Sequence, residues 1–481
     1  MAEQTLKEKT AKGLFWGGIS YGIQTFLNLV FGLVLARILN ADDYGMVGML
    51  AIFSAVASTI QESGFTAALT NRKKFCDDDY NAVFWFSTLS GLFFYILLFF
   101  CAPLIAHFYH RPELVKLSRI LFLCFLFGGL GIASNAYLFK SLMTKERARV
   151  DIFSTILSGS IGVYLALHGY AYIGLAIQMV ISSALSSVLK LYYSPWHPSF
   201  HFNFQPLKEM FSFSFKLILT NFVIQINNNV FSVVLGKFFN ATQLGFYAQG
   251  QKWMGMGNQL ITGMINNVAQ PVLVQVNDDS ERQCAVFRKM VRFGAFISFP
   301  AMLGLAFVAK EFIVILLGTK WLPSVPFLQL FCLWGAIVYM WVLYTNLMMT
   351  HGKSNLYLYG MILTGVLQIL AIISLFRLGI YVMVIGYILS YYVSMFYWQY
   401  FANKILHVKL FHILKDMFPY LGAMIISVLA GYFASYLFSN VYIILVTKIF
   451  ITALFYIAII KTFNSTVFND VLSFVLKRIH N

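Results

Sequence analysis

The stretch Leu35–Gly45, "LARILNADDYG", returns in kind two hundred residues later as Leu235–Gly245, "LGKFFNATQLG". Leu35 and Leu235, Arg37 and Lys237, Asn40 and Asn240, Ala41 and Ala241, Gly45 and Gly245 correspond one to one. A constant offset of this kind marks an internal repeat. Each copy closes one long apolar run and opens the next. A helix crossing a bilayer needs about 20 mostly apolar residues. Runs of that kind number about fourteen, from 13–37 to 440–461. The two copies stand six runs apart, so both halves share one orientation and are related by an axis along the membrane normal. The expected fold is an all-α polytopic membrane protein with about 14 transmembrane helices. Two pseudo-symmetric six-helix lobes, 1–200 and 201–403, precede an extra helix pair and cytoplasmic tail at 404–481.

Composition agrees. The 481 residues are 59% hydrophobic and only 11% charged, with a mean hydropathy of +0.75; a soluble chain carries about 25% charged residues. Every loop is short, the longest near 192–210, so no extramembrane domain hosts soluble chemistry. The net charge of +16 does not point to nucleic acid, because Lys and Arg flank apolar runs instead of forming a basic domain. Alternate loops hold 23 and 8 of these cations. The richer set, with "NRKK" at 71–74, marks the cytoplasmic side and places both termini there. The N-terminal "MAEQTLKEKTAKGLFWGG" has no small-residue cleavage site and reads as an uncleaved first helix.

The five cysteines, Cys76, Cys101, Cys124, Cys284 and Cys332, show no CxxC spacing. His197 and His201 in "WHPSFHF" have no acidic or thiol partner nearby and read as an interfacial loop. No Walker-type GxxxxGK[ST], GxSxG or HExxH occurs, and no carboxylate pair lies within a span. No metal, cofactor or catalytic residue is expected, and the chain does not read as an enzyme.

Polar residues inside the spans carry the functional reading. "QINNNV", 225–230, interrupts an apolar run, although an unpaired buried amide costs roughly 2–7 kcal/mol. Asn221, Gln225, Asn228, Ser232 and Gly236 share one helical face; Asn227 and Asn229 lie about 100° to either side of Asn228. The next run has a second stripe of Gln249, Lys252, Met256, Gln259, Gly263, Asn266 and Gln270, opposite Trp253, Leu260, Ile261, Ile265 and Val268. The first helix carries Gln24 and Asn28, and Asn28 is the repeat partner of Asn228. Such carboxamides often bond across packed helices. Two consecutive helices with continuous stripes and a repeat counterpart favour a water-filled cavity between the halves. Lys252 reads either as an anchor for an anionic group or as one half of an ion pair. Arg37, Lys237 and Glu62 lie near helix ends, where interfacial solvation competes with a functional charge. Lys448, in "LVTKIFITAL", has no acidic neighbour in sequence and no assigned role.

With these residues in place, the chain resembles the polysaccharide flippases of the multidrug/oligosaccharidyl-lipid/polysaccharide exporter superfamily. The group is usually described as lipopolysaccharide or exopolysaccharide biosynthesis transporters. The likeness spans about 9–415 and rests on residues 10–53, "GFTAALTNRK", "APLIAHFYHRPEL", "LGKFFNATQLGFYAQGQKW" and "GTKWLPSVPFLQLF". It implies two six-helix lobes around a cavity that opens alternately to each side. It implies a cargo of oligosaccharide on polyprenyl pyrophosphate, moved to the outer leaflet of a bacterial inner membrane. Membrane lipids, and the polymerase and glycosyltransferases of the pathway, are the partners it suggests. Many relatives carry an acid two positions after the counterpart of Asn229, where this chain has Phe231, so an ion-coupling role does not carry over there. Two other classes compete. A cation-coupled multidrug or metabolite antiporter of the same superfamily would have twelve helices and a central carboxylate in a lobe. A polysaccharide polymerase or ligase would need a long outer loop with Arg and His.

Overall fold

The computed structural model describes residues 6–62, 65, 69, 77–200, 203, 205–463, 467–470 and 473. The "NRKK" cations, Cys76, His201, Lys477 and Arg478 lie outside them. Eighteen α-helices and no strand occur among the described residues. They are α1 (Leu6–Ile38), α2 (Ala41–Met49), α3 (Ala51–Glu62), α4 (Asp77–Tyr109), α5 (Leu114–Leu121), α6 (Leu123–Lys140), α7 (Thr144–Leu167), α8 (Ala171–Tyr193) and α9 (Gln205–Phe238). There follow α10 (Ala241–Gln275), α11 (Ser280–Phe307), α12 (Ala309–Leu316), α13 (Val325–Gly335), α14 (Val338–Thr350), α15 (Ser354–Leu375), α16 (Ile380–Leu406), α17 (Leu410–Ser435) and α18 (Val441–Thr462).

An all-helical chain is what hydrocarbon imposes, since a helix satisfies its backbone polar groups within one segment. Among the described residues twelve spans are long and apolar enough to cross a membrane, and α2 with α3, bent by 41° at Leu50, makes a thirteenth. Helix α10, 35 residues long, covers about 50 Å at 1.5 Å per residue, enough to cross. Its glutamines, asparagines and Lys252 keep it out of the apolar count, and including it gives the fourteen runs expected from the sequence. The chain forms two compact units, Met1–Gly245 and Phe246–Asn481, with the boundary inside α10.

In the first unit α4 packs on α6, α6 on α8, α8 on α7, α7 on α1, and α9 on α3. A buried carboxamide organises its centre. Gln61 Nε2 donates to the carbonyls of Phe125 (2.7 Å) and Ser87 (3.1 Å), joining α3, α4 and α6. Gly91 and Gly129 leave room for that amide: a methyl group on either would lie 2.4 or 2.7 Å from Nε2.

The repeat also has a structural counterpart in this unit. Both Asn40 and Asn240 begin helices. The Asp43 carboxylate accepts from the backbone N–H of Asn40 (2.9 Å), and Asn240 Oδ1 accepts from the backbone N–H of Gln243 (2.7 Å); each satisfies a donor a helix start leaves unpaired. The two helix starts then pack backbone to backbone. A Cβ on Gly45 would fall 1.7 Å from the Ala241 carbonyl oxygen, and one on Gly245 would fall 1.8 Å from that of Ala41. Only glycine permits this approach, and the contact is reciprocal.

In the second unit α17 pairs with α18 and lies along α11, while α15 pairs with α16. Arg288 of α11 donates to both carboxylate oxygens of Asp416 on α17, through Nε at 2.7 Å and Nη2 at 3.0 Å. Arg292 Nη1 stands 3.6 Å from the same group. The two-point geometry fixes direction as well as charge, so α17 is oriented on α11 and not merely greased against it.

Gly45→Ala and Gly245→Ala should each lower stability by about 1–3 kcal/mol through overpacking. By reciprocity the two losses in thermal midpoint, measured in detergent, should be similar. Gly255→Ala, with open space around its Cα, should leave the midpoint unchanged or raise it slightly.

Candidate functional site

The asparagine cluster of α9 resolves into distinct environments. Asn221 and Asn228 are exposed, Gln225 is half-buried, and Asn227 is buried at 7% exposure. Asn229 Nδ2 donates to the Gln225 carbonyl at 2.9 Å, one turn back on its own helix. Phe231, where relatives are expected to carry an acid, is fully buried. On α1 the repeat partner Asn28 is exposed and Gln24 is half-buried. The first unit thus turns outward the carboxamides that share one face in the sequence.

Helix α10 splits the second stripe. Gln259, Asn266 and Gln270 are exposed. Asn266 Oδ1 accepts from Asn346 Nδ2 of α14 at 2.9 Å, a partner the stripe alone does not reveal. Lys252 is half-buried, with its ammonium 5.8 Å from the Trp253 ring centroid. Gln249 departs from the pattern: at 1% exposure it sits in packed interior, not on the exposed face. Its neighbours Tyr247 and Gly250 are buried as well, so this turn, residues 247–250, belongs to the core of the second unit.

Arg37 and Glu62 are exposed near helix ends. Lys237 is engaged, donating to the Phe108 carbonyl and lying 3.1 Å from His110 Nε2. Lys448, without an acidic neighbour in sequence, has one in space. Its Nζ donates to Glu311 Oε1 of α12 at 2.9 Å, and the two side chains are 13% and 10% exposed. The ammonium also faces the Phe307 ring at 4.6 Å. Glu311 is thus a carboxylate buried in the second unit and met by this pair. Beside it α11, α12 and α18 enclose a cavity of about 350 Å³, lined by Pro300, Phe307, Phe312, Lys448, Thr452 and Tyr456 among others. Among the described residues no group of three His, Cys, Asp or Glu could hold a metal ion.

Sequence reasoning missed Glu311, Asn346, Gln61 and the Asp42–Arg111 pair (3.1 Å). Each acts across a separation of scores of residues, and periodicity reports only on one helix at a time.

The architecture defines a polytopic, all-helical membrane protein with a flippase and multidrug-exporter type of fold. A solved structure of the lipid II flippase MurJ, in an inward closed conformation, matches 95% of this chain and 99% of its own, with a TM-score of 0.78 at 16% identity. An inward-facing MATE family multidrug transporter matches over 79% of this chain and 94% of its own, with a TM-score of 0.62 at 15% identity. Residues 34–326 match the family model described as polysaccharide biosynthesis protein, and the chain belongs to that family. Among curated relatives, the teichuronic acid biosynthesis protein TuaB of Bacillus subtilis is 26% identical over 360 residues, 74% of each chain. The lipopolysaccharide biosynthesis protein WzxC of Escherichia coli is 26% identical over 340 residues, 69% of this chain and 68% of its own.

Lys448→Met should cost about 3–5 kcal/mol, because it leaves Glu311 buried and uncompensated. The double variant Lys448→Met/Glu311→Gln should recover most of the thermal midpoint in detergent. Recovery by less than half would show that the pair does more than balance charge.

Proposed function

We propose that this protein is a flippase moving polyprenyl-pyrophosphate-linked oligosaccharide, a repeat unit of lipopolysaccharide, capsule or exopolysaccharide, across a bacterial inner membrane by alternating access. The observation that carries it is the exposure of Asn28, Asn221, Asn228 and Gln259 on helices that otherwise belong to hydrocarbon. Carboxamides facing lipid would cost several kcal/mol each, so their exposure calls for water or a hydroxyl-rich ligand at that depth. Family membership and the fold shared with a lipid II flippase support the same cargo class. Lys252 supplies the cation for pyrophosphate. Residues 1–200 and 201–403 act as the two lobes, with 404–481 as an accessory helix pair. Both termini lie in the cytoplasm by the cation asymmetry of the loops, and the transport step makes and breaks no covalent bond.

The competing antiporter reading would use a carboxylate free to exchange partners. Glu311 instead holds Lys448, which favours the flippase.

Expressed in a host lacking its own flippase but making a compatible repeat unit, the protein should restore surface glycan. Lys252→Glu should abolish display while inserting normally; full display would remove Lys252 from cargo binding. With all five native cysteines replaced, Asn228→Cys should react with a small water-soluble thiol reagent at least tenfold faster than a cysteine at lipid-facing Phe100. Equal rates would refute an aqueous path at Asn228.

A further inference from the structure

The reciprocal glycine contact is braced by charged groups that no reading above uses. Asp42 Oδ1, in the first turn of α2, accepts from Arg111 Nη2 at 3.1 Å and from Thr242 Oγ1 of α10 at 3.3 Å. Lys237, in the last turn of α9, reaches the end of α4. There its Nζ donates to the Phe108 carbonyl, lies 4.7 Å from the Phe108 ring centroid and stands 3.1 Å from His110 Nε2. His110 is held in place by the chain itself. It takes a left-handed conformation (φ 55°), and the next residue, Arg111, donates its N–H back to the Ala106 carbonyl at 3.0 Å, closing the helix.

An ammonium has three N–H donors and no acceptor, so the Lys237–His110 contact requires His110 Nε2 to carry the lone pair. The contact therefore exists only with a neutral imidazole. A protonated ring offers a second cation where an acceptor was needed. Histidine is the side chain that changes charge between about pH 5 and 8, and His110 is exposed to solvent. The other titratable or charged groups around this end are His107 on α4, with its ring 6.1 Å from that of His110, Tyr109 of α4 against Gly236, Arg111 and Glu113 in the following turn, Asp42 and Asp43 on α2, Tyr172 of α8 near those carboxylates, and Lys237 on α9. The Asp42–Arg111 pair, 3.1 Å apart, braces the junction beside this contact.

We propose that Lys237 and His110 form a pH-sensitive latch on the repeat junction: the neutral imidazole strengthens the hold of Lys237 on the end of α4, and its protonation weakens that hold while the bond to the Phe108 carbonyl remains. On the transmembrane orientation above, this end faces the outside, so the latch reads external pH and acid favours opening. That physiological meaning rests on the flippase reading; the contact and its weakening do not.

The test uses the full chain in phospholipid nanodiscs without cargo. Spin labels go on cysteines replacing the exposed Leu104 and Phe238, with the five native cysteines removed, and distances are measured by pulsed electron resonance. At about pH 8 one short population is expected. At about pH 5.5 a longer population should grow by about threefold relative to the short one, the scale of an exposed charge interaction. His110→Gln and Lys237→Gln should each make the distribution independent of pH, whereas His107→Gln should still respond. A distribution identical at both pH values overturns the latch, as does a response that survives His110→Gln or disappears with His107→Gln alone. No cargo is present, so a flat result leaves the flippase assignment standing, and failed glycan display leaves the latch standing.

Discussion

Hydrocarbon cannot hydrogen-bond, and that constraint governs every polar atom in this chain. A polar group at membrane depth must find a partner within the protein or face an aqueous space. Three solutions are visible. Gln61 spends its amide on two backbone carbonyls from two other helices. Asp416 and Glu311 are met by Arg288 and Lys448. Asn28, Asn221, Asn228 and Gln259 are left exposed, and they ask for something outside the fold, while buried Gln249 keeps both amide atoms without a hydrogen-bond partner. Packing and transport are therefore sorted by the same physical rule.

The repeat shows how a duplicated sequence becomes a joint. Asn40 and Asn240 each start a helix, and the glycine five positions on lets each start approach the backbone of the other. The two halves of the motif have diverged in charge. Asp42 corresponds to Thr242 and accepts its hydroxyl, so matching positions of the two copies form a donor–acceptor pair. Had both copies kept the aspartate, two carboxylates would face one another at the tightest point of the junction, where like charges destabilise.

What could be read beforehand follows the range of each signal. Apolar run length and loop cations are local, so helix number and the repeat were legible from residues alone. The exposed face of α9 was legible too, because Asn221 and Asn228 share a face by spacing. Gln249 fits the α10 stripe equally well, yet it is buried; a helical face reports direction around one axis and not what lies beyond it. Lys448 was legible as an anomaly but not as a pair, since Glu311 lies 137 residues away in a different short helix. Asn229 bonds a carbonyl one turn back on its own helix, a local competition that short carboxamides enter readily.

The Lys448–Glu311 pair also bears on how α18 finds its place. That helix is nearly uniform, "VYIILVTKIFITALFYIAIIKT", and an all-apolar surface packs almost equally well at several rotations. Its buried contacts recur every fourth residue. Lys448 holds Glu311, Thr452 sits against Gly431 of α17, and Tyr456 donates to the Phe296 carbonyl of α11 at 2.9 Å. A methyl group on Gly431 would lie 2.5 Å from the Thr452 hydroxyl, so that glycine fixes the approach of the pair. Desolvating a salt bridge often yields little net stability. Its value here is in register: rotating α18 by one residue would strand a cation and a phenol in hydrocarbon together. The polar face thus excludes alternatives that the apolar faces would tolerate.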